Sequence, residues 1–260
     1  PGGNGRYIYA LSERNGCARY SRSSMITVDG VGAAYPYYAT VQGAIESYCT
    51  GGENSGTTIS RPLVIAVDPT AGPYDESMDL NESSVGHGDI VGDIRIRSTD
   101  PNNKAVFKLR KGISSSAGAY SDGLLIYQSS NNVSFKDIVF CESKTPPTFQ
   151  DEIIKIDEAG ANNDFCWVEF YDCIITDIDT AGNPMITTRA EAFNPPPASG
   201  SGRSGFAYAI QLWGDAGESQ NLLMDGLVVY HDPVSYTIRL AHAGQAGEQV
   251  YMHNCAINYN

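Results

Sequence analysis

Basic charge is scarce in this chain: seventeen Lys and Arg stand against thirty Asp and Glu in 260 residues, a net charge of −13. Phosphate binding needs clustered cations, so no nucleic-acid partner is expected. Long apolar runs are missing as well. The longest, around Pro62 to Val67, is strand-sized and far short of the roughly 20 residues that cross a bilayer, so no membrane span is expected. The opening Pro1-Gly2-Gly3-Asn4-Gly5 has no basic stretch followed by an apolar one, and no signal peptide is visible there. The six cysteines (17, 49, 141, 166, 173 and 255) include no C-x-x-C pair and the four histidines lack ligand spacing, so no metal and no other cofactor is expected. There is no G-x-S-x-G nucleophile turn. Gly200 to Gly205 matches G-x-G-x-x-G, but it follows Asn194-Pro195-Pro196-Pro197 instead of a strand, and a phosphate cradle needs the strand and the helix.

What is present is β texture. Twenty-seven Gly and sixteen Tyr, with many Ser, Thr and Asn, separate short runs of Ile, Val and Leu. At 42% hydrophobic and 18% charged, the chain can bury a core. One helix is predicted over 40–48: Thr40 can cap it, and Val41, Ala44, Ile45 and Tyr48 share a face. Residues 1–60 are therefore read as an N-terminal segment with a capping helix, and 61–260 as repeating rungs.

The repeat has two series. In the first, Ile126, Ile154, Ile210 and Ile238 are separated by 28, 56 and 28 positions, which predicts a missing member near 182, close to Met185-Ile186-Thr187. The second reads Val133-Ser-Phe135-Lys-Asp137, Val168-Glu-Phe170-Tyr-Asp172 and Val250-Tyr-Met252-His-Asn254, with a looser copy at Leu223 to Leu227. Alternating apolar residues followed by Asp or Asn at a turn, repeated every 20–35 positions, describe a solenoid whose rungs bury their apolar faces only by stacking. Asp137, Asp172, Asp225 and Asn254 are read as a ladder of turn residues. Cys173 and Cys255 share a register position about three rungs apart, roughly 14 Å, which is beyond disulfide reach. A Cys17–Cys49 bond stays open.

Residues 37–98 resemble the entry to the pectin lyase-like superfamily of right-handed parallel β-helices. Tyr38-Ala-Thr-Val-Gln-Gly-Ala-Ile45 is similar to the capping helix of pectin methylesterases. Leu63 to Val67, followed by Gly72-Pro-Tyr74-Asp-Glu76, is similar to their first strand and its G-x-Y-x-E turn. The resemblance implies an all-β, single right-handed parallel β-helix with an N-terminal capping helix. It also implies candidate catalytic positions at Gln150, Asp177 and Asp179. Ile178 stands where the family has Gln before its catalytic Asp, and no D-F-I-F-G strand follows. The second acid of an esterase is therefore not in place.

Lyase chemistry would instead use a basic residue, for which Lys155 is the candidate. In the repeat register Lys155, Gln211 and Arg239 fall in one outward column, with Asp157 and Trp213 in the next, a set able to hold a glycan by stacking and hydrogen bonds. The reading is a non-enzymatic structural or adhesive β-helix at a virion surface (capsid decoration, tail fibre or tailspike) or otherwise extracellular. It would form a homo-oligomer, with a trimer among the options, or a larger assembly, and take a polysaccharide as a second partner. The alternative is a carbohydrate-active esterase or lyase acting on an acidic polysaccharide. The last strand has no polar cap, which invites edge pairing.

Overall fold

The computed structural model describes residues 10–11, 18–19, 24–28, 30, 37–44, 63–81, 94–110, 123–127, 132–143, 152–158, 166–194, 208–214, 220–231, 237–242 and 249–259. Most lie in strands, in keeping with the run of β-branched and aromatic residues at alternating positions. Three parallel sheets account for all but two of the strands. The first stacks Met78–Asn81, Leu124–Tyr127, Glu152–Glu158, Tyr208–Gly214 and Ile238–His242. The second runs Tyr37–Tyr38, Ser24–Val28, Leu63–Val67, Ile94–Ser98, Val133–Lys136, Cys166–Tyr171, Gln220–Asp225 and Gln249–His253. The third stacks Tyr74–Glu76, Ala105–Leu109, Ile138–Glu142, Ile174–Thr176, Val228–His231 and Ala256–Tyr259.

From Leu124 onward the chain visits first, second and third sheet in order, four times over. This arrangement is compatible with a parallel β-helix. Ala10–Leu11 and Ala18–Arg19 pair antiparallel and stand apart from the three sheets. Among the described residues no helix is long and apolar enough to cross a membrane.

The core lies between the sheets, filled by the alternate residues of each strand. Leu124 and Ile126, Ile154 and Ile156, and Ile210 and Leu212 line it from the first sheet; Val133, Phe135, Val168, Phe170, Leu222 and Met224 line it from the second. Phenylalanines stack from turn to turn. Phe135 lies 5.3 Å from Phe170, and Phe107 lies 6.1 Å from Phe140, both near parallel. Phe135 and Phe140 meet edge-on at 5.5 Å. Each such pair contributes about 0.5–1.5 kcal/mol beyond burial of its area.

Two expectations about the repeat need correction. Leu124 pairs with Ile154 and Ile126 with Ile156, so that step is 30 residues and not 28. A slip of two keeps every side chain on its own face, which is why the apolar pattern alone did not expose it. No rung exists near 182. Ile154 pairs directly with Ile210, and the intervening 56 positions hold one turn plus an insertion. The described part of that insertion, residues 177–194, folds against the outside of the third sheet. Ile186 and Ala192 pack on Val139, Ile174, Val228 and Tyr230 as a second apolar cluster. Inside the insertion, Thr188 caps the short helix Arg189–Phe193 in a reciprocal capping box with Glu191. The middle strands of the third sheet are thus buried on both faces and read as unbroken apolar runs such as Ile138-Val139-Phe140-Cys141.

The corners between second and third sheets explain the Asp and Asn residues. Asp137, Asp172 and Asn254 have φ of 54°, 48° and 51°, and Gly226 has 72°. Asp and Asn tolerate this left-handed region better than other side chains because they bond locally. The ladder position belongs to Gly226, one residue past the expected Asp225. Cations close the corner: Lys104 Nζ donates to Asp137 Oδ1 (3.1 Å) and to the Asp172 carbonyl (2.5 Å), and Arg189 donates to the Gly226 carbonyl and to Asn254 Oδ1. Cys173 and Cys255 are two turns apart and not three, since the Leu227 turn alone separates them; both are free thiols, at roughly 10 Å by strand spacing. Cys17 and Cys49 lie outside the described residues.

At the N-terminal end, residues 41–44 are helical and Thr40 Oγ1 accepts the Gly43 N–H at 3.0 Å, as the sequence predicts. The remainder of the expected helix, residues 45–48, lies outside the described residues. Glu76 of the G-x-Y-x-E turn supplies a second cap, its two carboxylate oxygens accepting Val41 N–H (3.1 Å) and Gln42 N–H (3.0 Å). Val41 and Ala44 are fully buried and join the core.

Candidate functional site

Parallel pairing places the expected glycan-binding residues on the outer face of the first sheet. Lys155 pairs with Gln211 and Gln211 with Arg239, so the three occupy neighbouring strands in one column. Their chain neighbours Ile154, Ile156, Ile210 and Leu212 fill the core, so strand alternation turns this column outward. Gln211 is nevertheless only 3% exposed, while Lys155 and Arg239 are half-buried. Asp157 and Trp213 pair in the next outward column. Their side chains, and Gln150 altogether, lie outside the described residues. Two cations flanking an amide form a donor-rich strip suited to hydroxyl and carboxylate oxygens.

Asp177 and Asp179 lie elsewhere, where the chain leaves the third sheet for the insertion. Asp177 is buried. Its N–H donates to the Tyr230 carbonyl at 3.0 Å, and its own carbonyl accepts the Met185 N–H at 2.9 Å. Burial, with the Asp177 charge second, pushes the Tyr230 phenol up from its ordinary value. Asp179 closes its own loop. Oδ1 accepts Ala181 N–H (2.9 Å) and Asn183 N–H (2.8 Å), and Oδ2 accepts the Asn183 side-chain amide at 3.4 Å. Those bonds, the Asn183 N–H foremost, hold its carboxyl below the usual range and make it a weaker proton acceptor.

Burial has the opposite effect elsewhere. It raises the Glu76 carboxyl above its ordinary value, against the pull of the Gln42 and Val41 N–H groups and the Arg110 charge. Burial also pushes the Cys141 and Cys173 thiols up to about 12, so both are protonated and unreactive at neutral pH.

The outer face of the second sheet holds a feature that reading along the sequence missed. Trp167 and Tyr251 stack with ring centroids 5.8 Å apart and planes 27° from parallel. The strand Gln220–Asp225 runs between their own strands. Around them, the Tyr171 hydroxyl donates to Glu169 Oε2 at 3.3 Å, the Tyr251 hydroxyl to Gln249 Oε1 at 3.1 Å, and His253 Nδ1 lies 2.8 Å from Asp225 Oδ1. Outward positions of the Val168, Leu222 and Val250 series carried the signal, since they bring Trp167 and Tyr251 to one face only after the three strands are aligned.

The last turn among the described residues differs from the others. Leu240, Met252 and Ile257 continue the buried columns of Leu212, Met224 and Val229, one from each sheet, yet they are 52%, 51% and 43% exposed. No family model matches this chain, and neither does any curated protein or solved structure.

Proposed function

We propose that the chain is a structural or adhesive protein built as a right-handed parallel β-helix of the pectin lyase-like kind, and that it assembles with copies of itself. The carrying observation is an exposed apolar patch. Leu240, Met252 and Ile257 expose core-type side chains together on the last turn among the described residues, an apolar patch of the kind that a partner covers. A second copy seated on that patch would bury them as Leu212, Met224 and Val229 are buried one turn earlier. The acidic charge of −13, with a core built of stacked turns, suits a virion-surface role as a capsid decoration, tail fibre or tailspike. An extracellular role is its near neighbour. The column of Lys155, Gln211 and Arg239 would then contact a glycan.

A second reading, a polysaccharide esterase or lyase, draws on that same column, because its cations would attract an acidic polysaccharide. Sedimentation equilibrium tests the first reading: a stable oligomer is expected, and Leu240→Lys with Met252→Lys should return it to monomer. A monomeric parent chain at micromolar concentration would refute assembly.

A further inference from the structure

We propose that the stacked pair Trp167 and Tyr251 on the outer face of the second sheet is a binding platform for an uncharged, hydroxyl-rich glycan, separate from the Lys155–Gln211–Arg239 column. The platform is built before any ligand arrives. Tyr251 is held from one side by Trp167, at 5.8 Å between centroids, and at its hydroxyl by Gln249 Oε1 at 3.1 Å. It nevertheless remains 51% exposed. An aromatic ring fixed at both ends but open on the outside loses little freedom on binding, which favours stacking against the C–H face of a pyranose.

Polar groups stand at both ends of the ring. Gln249 and His253 lie two residues to either side of Tyr251 on the same face of the strand, and His253 is fixed by Asp225 at 2.8 Å. The amide and the carboxylate accept hydrogen bonds from hydroxyl groups spaced around a sugar ring. Charge selects among sugars. Beside the ring stands the Asp225 carboxylate, with Glu169 buried in Tyr251's own column two strands away, whereas the cations of this face, Lys136, Arg95 and Arg97, lie three and four strands off. Next to Tyr251 the surface therefore accepts from hydroxyls and disfavours uronates and sulfates. Successive strands advance by about 4.8 Å, close to the length of one sugar ring, so a chain laid along the stack would keep step with it.

The chain has two tryptophans, which makes the test direct. In a Trp213→Phe variant the indole emission comes from Trp167 alone. Titration with soluble galactomannan, xyloglucan and dextran should shift that emission saturably with at least one of them, and alginate should not. Tyr251→Ala should weaken the interaction on the order of tenfold, and Tyr251→Phe, which keeps the ring, by less. The proposal fails if no neutral polysaccharide moves the emission, if alginate alone does, or if Tyr251→Ala binds as tightly as its parent. Should Trp213→Phe not fold, retardation of the parent chain and of Tyr251→Ala in native gels containing the same polysaccharides decides the question by the same criteria. Tyr251 shares a strand with Met252, so the titration is repeated on the Leu240→Lys, Met252→Lys chain, where a shift that persists shows glycan binding independent of assembly.

Discussion

Replacing Gly226 by Ala probes the corner ladder of Asp137, Asp172, Gly226 and Asn254. Gly226 sits at φ +72°, and a Cβ built there would lie 2.4 Å from Asp172 Oδ1 and 3.4 Å from Asp172 Cα on the preceding turn. Two costs follow. The left-handed backbone costs an alanine about 1–2 kcal/mol. The overlap with the Asp172 carboxylate adds to this, because real Cβ atoms essentially never approach so closely and Asp172 must move. The sum is about 2–3 kcal/mol, a large share of a typical domain's stability. Gly226→Asn shares the overlap but tolerates the backbone, as Asn254 does one turn later, and should cost about 1 kcal/mol less.

The two costs separate in a double-mutant cycle. In an Asp172→Gly background the overlap is gone, so Gly226→Ala should then cost only its backbone part. Urea unfolding followed by circular dichroism measures each variant, with the midpoint falling and the slope unchanged. If Gly226→Ala costs under about 0.5 kcal/mol, or costs the same with and without Asp172, the ladder account is wrong.

Other outcomes follow from the same geometry. Glu76 ionises less readily folded than unfolded, so the folded state holds the extra proton and stability should fall as pH rises through the window just above the ordinary 4.5; pH-dependent unfolding of Glu76→Gln should lack that slope. Thr188→Ala breaks the capping box and should loosen the insertion by about 1 kcal/mol, seen as faster hydrogen exchange at the Met185 amide bonded to Asp177. Iodoacetamide labelling with peptide mapping at pH 8 should modify half-buried Cys255 well before Cys141 and Cys173, and equal labelling of all three would contradict their burial.

Much of this architecture is legible in the sequence because strands have a period of two and solenoid turns repeat. Val133, Val168 and Val250 occupy the aligned positions expected of them. The errors share one cause: apolar pattern reports which face a residue takes, and not which partner it meets. The two-residue slip at Ile126 preserved the face, and so passed unnoticed. Met185-Ile186 reads as a rung because it is apolar, but Ile186 is buried outside the third sheet, against Val139 and Ile174. Gly226 hides at a ladder position because the neighbouring Asp225 resembles the other members. The Lys155, Gln211 and Arg239 column was readable since 56 and 28 are the true steps there. Trp167 and Tyr251 were not, because their contact needs three strands aligned and the ring geometry known.

The central claim is that the chain assembles and adheres instead of turning over a substrate. A panel of pectins, alginates, xylans and glucans, assayed together for released methanol, unsaturated ends and reducing ends, tests it most directly. The account predicts no product from any polysaccharide, even from one that the chain binds. Turnover that disappears in Asp179→Ala or Lys155→Ala would contradict it and establish the enzyme in its place.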